Sequence, residues 1–229
     1  FPRFLNKIDI ILSIIPPENA INQATFINNF CDKIEKKILY VDCNAIAPST
    51  SKKIELILSK KYFYYVDGGI IGLNPIIEKG KTRLYVSGKK AYKCEVFNNN
   101  GIIVKNISNK IGDASAIKMI YASATKGTFS LHAAVLTVAM KLNLFDEYLE
   151  ELTFSRPDIL SAMEKMVPKI PLDASRWEGE MIEIANTFSS KKITPKFHEA
   201  AAEIMKIAKL TPIAKETREN YDNSRHLKK

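Results

Sequence analysis

The residues of this chain best suited to chemistry are a lysine, a glycine-rich run and a few polar side chains at the ends of apolar segments. Lys118 stands six residues after Gly112, near the start of a stretch with helical apolar spacing. Desolvation in a dry crevice drives a lysine towards its neutral form, in which it can accept a proton. On the outer face of an amphipathic helix the same residue is simply solvated. Gly68, Gly69, Ile70, Ile71 and Gly72 follow an apolar run. Glycines allow close approach of backbone to a ligand, and the run also reads as a tight turn after a strand. Asn44 reads as a turn asparagine and Pro16 as a strand-ending proline. His198 follows Pro195 on a helical segment and reads as a packing histidine. His132 lies about four turns beyond Lys118 on one helix, too far to share a reacting atom with it. Trp177 and Glu180 read as helix packing, and Lys126 as an exposed or anion-binding cation. Cys31, Cys43 and Cys94 are odd in number and far apart, which fits reduced thiols and neither a disulfide framework nor a metal site.

The elements that must position these groups change character halfway along the chain. Short apolar runs alternate with helical segments in the first half, the pattern of parallel strands joined by crossover helices. Ile8 to Ile15 reads as a buried strand ended by Pro16 and Pro17, and Glu18 to Phe30 as a helix. Ile38 to Val41 is the next strand, ending at Asp42, with a helix opened by Pro48. Tyr62 to Val66 is the third, ending at Asp67. Arg83 to Ser87 and Ile102 to Val104 read as further strands around a helix at Ala91 to Phe97. From Gly112 onward only helical periods appear. Asp113 to Leu142 predicts a single helix of about 30 residues, roughly 45 Å long. Asp173 or Ser175 is expected to cap a helix from Arg176 to Phe188. Thr194 is expected to cap another, with Pro195 in its first position, running to about Leu210. The fold class is therefore α/β plus all-α, with units at 1–110 and 111–212 and a basic, flexible tail at 213–229.

The 229 residues are 46% hydrophobic, enough to bury a core, and carry a formal charge of +9. The lysines mostly alternate with acids and apolar residues, so they read as solvated surface. No evident face interleaves basic and aromatic residues, which argues against nucleic acid as a partner. No signal peptide or membrane-length apolar run is present, and the expected compartment is the cytoplasm.

Four motifs appear in a defined order: LSIIPP (Leu12 to Pro17), VDCNAIAPST (Val41 to Thr50), VDGGIIG (Val66 to Gly72) and GDASAIKMIYASATKG (Gly112 to Gly127). This order and spacing resembles the 6-phosphogluconate dehydrogenase-like, or β-hydroxyacid dehydrogenase, family. With RWEGEM (Arg176 to Met181) and the Thr194 to Glu203 stretch, it looks closest to a branch with its own helical C-terminal domain. The resemblance spans Ile8 to about Leu210. It implies a partial Rossmann-type sheet in which LSIIPP is the fourth strand, so the first three strands are expected to be missing. No G-x-G-x-x-G run stands between a strand and a helix anywhere in the sequence.

The same resemblance assigns roles. Lys118 matches the catalytic lysine, the acid/base in a hydride transfer to NAD or NADP. Gly68, Gly69, Ile70, Ile71 and Gly72 match a substrate loop, with Ile71 where many relatives carry serine. His198 falls in a pocket-lining stretch of the helical domain. Pro16 matches the wall beside the cofactor ribose and Asn44 the nicotinamide side. Tyr121 and Ala122 stand where the family usually has an asparagine. The implied activity is NAD(P)-dependent oxidation of a small anionic hydroxy acid by a homodimer. The alternative is a truncated or non-catalytic dimeric relative that does not bind dinucleotide alone.

Overall fold

The computed structural model describes residues 2–72, 76, 80–99 and 101–227. Two compact units are present. The first comprises Phe1–Tyr121 with Asn186–Lys191, and the second Ala122–Ala185 with Lys192–Lys229. The division falls at Tyr121, later than the 110/111 boundary read from the sequence.

The first unit is a five-stranded sheet in the order β1 (Ile10–Ser13), β2 (Ile38–Asp42), β3 (Phe63–Ile71), β4 (Thr82–Ser87), β5 (Ile102–Ser108). β1, β2 and β3 are parallel. β4 is antiparallel to β3, and β5 is parallel to β4. The expectation of uniformly parallel strands is therefore corrected at β4. Only residues 72–81 join β3 to β4, fewer than the dozen or more a crossover takes. The segment Ala91–Phe97, between β4 and β5, is a 3₁₀ helix.

Every residue of β2 is buried, because both faces of the sheet are covered. Ile38 and Tyr40 pack on one side with Ala20, Ala24 and Ile27 of α2 (Ala20–Asn28) and Ile54 of α3 (Pro48–Ile57). Leu39 and Val41 pack on the other with Val66, Leu84, Val86 and Ala91. A short α1 (Pro2–Leu5) precedes β1 and buries Leu5 in the first of these clusters. Strand alternation thus places consecutive apolar residues of one run in two cores.

α4 (Asp113–Ala122) is followed by a π-helical turn, Ser123–Gly127, and by α5 (Thr128–Lys141). The single α-helix expected from Asp113 to Leu142 is thus interrupted by a wider turn that ends at Gly127, a weak helix former. The second unit continues with α6 (Phe145–Ser155), α7 (Pro157–Met166), α8 (Ile170–Ser190), whose residues from Asn186 on are counted with the first unit, and α9 (Lys196–Ala208). α8 begins before Asp173, so neither Asp173 nor Ser175 caps it; Asp173 lies in its first turn, where a carboxylate suits the helix dipole. Pro195 precedes α9 as its cap residue and is not its first position, while Thr194 Oγ1 accepts the N–H of Lys196, the first residue of the helix, at 3.4 Å. Leu136, Leu152 and Met163 form the helical core, and Leu227 packs against it.

The segment after 213 is not a free arm. Tyr221 is buried, Arg218 pairs with Asp173, and Arg225 pairs with Glu216 at 2.7 Å. Its apolar side chains anchor it despite its basic composition. Lys228 and Lys229 lie outside the described residues.

The glycine run is strand as far as Ile71: Gly68 to Ile71 belong to β3 and pair with Val86, Tyr85, Leu84 and Arg83. A loop expected there is thus corrected to a strand, and only Gly72, with φ of 128°, turns the chain. Packing demands two of these glycines. A β-carbon on Gly68 would meet the Asp42 carbonyl oxygen at 2.8 Å, and one on Gly69 the Ala114 carbonyl oxygen at 2.8 Å. Both obstacles are backbone. Gly69→Ala is expected to destabilise the chain by about 1–3 kcal/mol, the range for overpacking, read as a lowered urea midpoint; an unchanged midpoint would show that α4 can retreat freely from β3.

Candidate functional site

The carboxyl ends of β1 and β2 and the middle of β3 bring polar side chains together in an otherwise apolar sheet. Asp67 in β3 is fully buried, yet its carboxylate accepts five hydrogen bonds. They come from Ser51 Oγ of α3 (2.8 Å), Ser87 Oγ of β4 (2.9 Å), the Gly112 N–H (2.9 Å), the Ser115 N–H (3.0 Å) and Ser115 Oγ (2.5 Å). Ser87 Oγ also accepts the Ala114 N–H at 3.1 Å. Three amides at the start of α4, otherwise orphaned by helix geometry, therefore find acceptors on the sheet. A negative charge at a helix N-terminus is further favoured by the dipole.

Asp42 ends β2 at the same depth with fewer donors. It accepts the Asn44 N–H at 3.0 Å, and the Tyr65 hydroxyl stands off at 3.5 Å. Burial, with the nearby Asp67 charge adding to it, pushes the Asp42 carboxyl up to about 7, against the opposing pull of the Asn44 N–H and the Lys118 ammonium. Cys43 is pushed up to about 12, again by burial first, with Lys118 acting in the opposite direction.

Lys118 lies on the second turn of α4 and is half-buried. Its β-carbon would be 3.1 Å from a β-carbon on Gly69, so the bare backbone of β3 is what lets this part of α4 come close. Its charge acts on Asp42 and Cys43. Lys118 and Gly69 are thus neighbours, and Gly68 lies instead against Asp42 and Cys43. Asn44 is also here, but its side chain is committed: Oδ1 accepts the Ile15 N–H at 2.8 Å and Nδ2 donates to Ser13 Oγ at 3.0 Å. The residue clamps the end of β1 to the end of β2. Pro16, exposed, stands two residues after the exposed Ile14.

His198 belongs to the second unit, on α9, where Nε2 lies 2.8 Å from Ser123 Oγ on the π-helical turn, and burial lowers its pKa. Glu180, buried on α8, is gripped by Lys126 and Arg176. The Lys126 ammonium also sits 5.4 Å from the Trp177 ring centre, and Trp177 stacks on Phe129. Lys126 is therefore an internal ion-pair partner, not a free surface cation. Sequence reasoning missed Asp42 and Asp67 as functional groups. Their one local signal is an acid closing or interrupting a valine-rich strand, where a buried charge needs compensation.

Comparison with known proteins follows the same division. Residues 2–114 match the family model for the NAD binding domain of 6-phosphogluconate dehydrogenase, and residues 139–207 match a domain of unknown function, DUF1932. An uncharacterized 28.5 kDa protein of Methanothermus fervidus is 34% identical over 142 residues, 62% of this chain; the match spans about half, 52%, of that relative's length. A conserved protein of unknown function, whose structure is described as similar to 3-hydroxyacid dehydrogenases, aligns with 27% identity and a TM-score of 0.59, covering 87% of this chain and 75% of that one. The Mycobacterium tuberculosis 3-hydroxyisobutyrate dehydrogenase, solved with L-serine, shares the fold at 11% identity and a TM-score of 0.63, over 90% of this chain and 76% of that one.

Two outcomes are expected from the carboxylates. Asp67→Ala strands several buried donors and is expected to cost about 3 kcal/mol or more in a denaturant titration; a loss below about 1 kcal/mol would show that α4 is held by other means. Asp42 has its folded pKa raised from 3.8 to about 7. Its contribution to stability is therefore fully present below pH 3.8, fades as pH rises to about 7 and is flat beyond. Asp42→Asn removes that slope, so its stability relative to the parent should improve across this window by on the order of a few kcal/mol. A difference independent of pH would reject the assignment.

Proposed function

We propose that this chain, whose residues 2–114 match the NAD binding domain of 6-phosphogluconate dehydrogenase and residues 139–207 match DUF1932, acts as an NAD(P)-dependent oxidoreductase on a small anionic hydroxy acid, with Lys118 as the acid/base. The observation that carries the reading is the lysine on α4, half-buried, brought against the bare backbone of Gly69 and acting electrically on the buried Asp42. Ligands of open α/β sheets bind beyond the carboxyl ends of the strands, and this lysine stands at that end of β2.

The residues present fit the nicotinamide end of a dinucleotide. Asn44 holds the ends of β1 and β2 together, and Pro16 with Ile14 leaves an exposed apolar shelf beside them. When bound, the cofactor accepts the hydride. Lys118 takes the hydroxyl proton of the substrate in the oxidising direction and returns it in the other. Asp42, titrating near neutrality, supplies a neighbouring proton acceptor within the same electrostatic field. Gly72, exposed and turned by its positive φ, offers backbone near which a carboxylate can approach, with Gly68 to Ile71 forming the strand that leads to it. His198, held against Ser123 within the helical unit, is the further substrate-binding residue of this reading.

The protein is read as a cytoplasmic homodimer. No helix among the described residues is long and apolar enough to cross a membrane. Leu131, Val138 and Met140 of α5 are each more than half exposed, an apolar surface that suits a second copy. The second reading, a relative that does not bind dinucleotide alone, is favoured by one observation: the sequence contains no G-x-G-x-x-G run.

Fluorescence titration with NADH and NADPH, followed by turnover of a panel of short 3-hydroxy acids, separates the two. The first reading expects saturable enhancement and turnover that falls at least about 100-fold in Lys118→Ala without loss of cofactor affinity. Light scattering on the same sample should give twice the 25.8 kDa chain mass. Absence of binding at millimolar cofactor would leave the second reading standing.

A further inference from the structure

The first unit carries a concavity of about 660 Å³ that the candidate site does not use. Lys37, Lys52, Lys60, Lys89, Lys90 and Lys110 line it, and among the described residues Glu55 is the one acidic lining side chain. Strand polarity collects these lysines. Lys37 and Lys60 precede β2 and β3, whereas β4 and β5 run the other way, so that Lys89, Lys90 and Lys110 follow their ends. The groove therefore lies at the opposite end of the strands from Asp42, the last residue of β2.

Aromatic rings organise the cations. The Lys37 ammonium lies 4.7 Å from the Tyr64 ring centre, that of Lys90 5.3 Å and that of Lys93 5.7 Å. Lys90 and Lys93 also reach the Tyr92 ring at 5.8 Å. The sequence reading finds no face on which basic and aromatic residues interleave; the fold makes one, by bringing residues 37, 64 and 90 to a single point. Leu56, Phe63 and Ile111 give the concavity apolar walls. Six like charges around so small a volume repel one another, and nearby rings offset only part of that repulsion. A multiply charged anion relieves it.

We propose that this groove is a second ligand site, for a small polyphosphate that carries a flat apolar ring, the chemistry of a nucleoside triphosphate. Lysines set around a partly open concavity suit a compact cluster of phosphates, and the apolar wall suits the ring. The volume falls within the range of small-molecule pockets. A nucleic-acid strand instead calls for cations set along an extended track. The proposal does not depend on the dehydrogenase reading, since the two sites share no lysine.

Calorimetry on the whole chain, with ATP, inorganic triphosphate and adenosine as probes, tests it. ATP should bind saturably, triphosphate more weakly and adenosine not at all, and raising the salt from about 0.05 to about 0.5 M should weaken ATP by about tenfold or more. The double variant Lys37→Gln/Lys90→Gln should lose about tenfold in ATP affinity, with its circular dichroism unchanged, while Lys118→Ala binds ATP as the parent does. The proposal is overturned if neither ATP nor triphosphate gives heat at concentrations up to about 5 mM, or if adenosine binds as well as ATP. Loss of ATP binding in Lys118→Ala would place the nucleotide in the candidate active site instead. Tighter binding of a single-stranded RNA of about 12 nucleotides than of ATP would make the face a nucleic-acid surface.

Discussion

A buried carboxylate tied to the start of a helix holds the first unit in its working form. Asp67 sits in β3, and its five donors come from α3, β4 and the turn into α4. Burying an unpaired charge costs several kcal/mol, so the arrangement is stable only when all these elements are docked together. That requirement fixes where α4 begins and how it lies on the sheet. Gly69 then sets the distance, because any side chain there would strike the Ala114 carbonyl. The position of Lys118, one turn beyond Ala114, follows from these two constraints.

Asp42 has the same burial and a different fate. It is paired in register with Asp67 across β2 and β3, but among the described residues only the Asn44 N–H bonds it at normal length. The contrast is one of donors: a carboxylate with few of them in a dry place resists ionisation. The result is a group that changes charge near neutrality at a point where the Lys118 field is felt. Two acids at equivalent strand positions thus differ, one anchoring structure and one held towards its protonated form by burial.

How much of this was legible in the sequence depends on how local the cause is. β2 is an apolar run bounded by turn residues and lies within a residue of the reading; β3 begins within a residue of it but continues to Ile71, and the lysine lies near the start of α4, as the reading has it. The reversal of β4 was legible only by counting the residues that join it to β3. The conversion of Gly68 and Gly69 from loop to strand was not, since motif order alone does not say which atoms press on a glycine. The Asp67 network joins Ser51, Ser87 and Ser115, serines 16, 20 and 48 residues away, and such a set leaves no spacing for a reader to find. The lysine groove was hidden for the same reason, its members being scattered from Lys37 to Lys110.

The reversed strands also explain why the formal charge of +9 is not spread evenly in its consequences. In a purely parallel sheet, the residues preceding strands gather at one end and those following strands at the other. Turning β4 and β5 mixes the two classes, so that lysines before β2 and β3 meet lysines after β4 and β5 at one end. At the far end of β2, charge is instead withdrawn from solvent and compensated by hydrogen bonds or by Lys118. Solvated cations collect anions from a distance, whereas the half-buried Lys118 acts on the buried Asp42 beside it. A sheet with two reversed strands can provide both without either crowding the other.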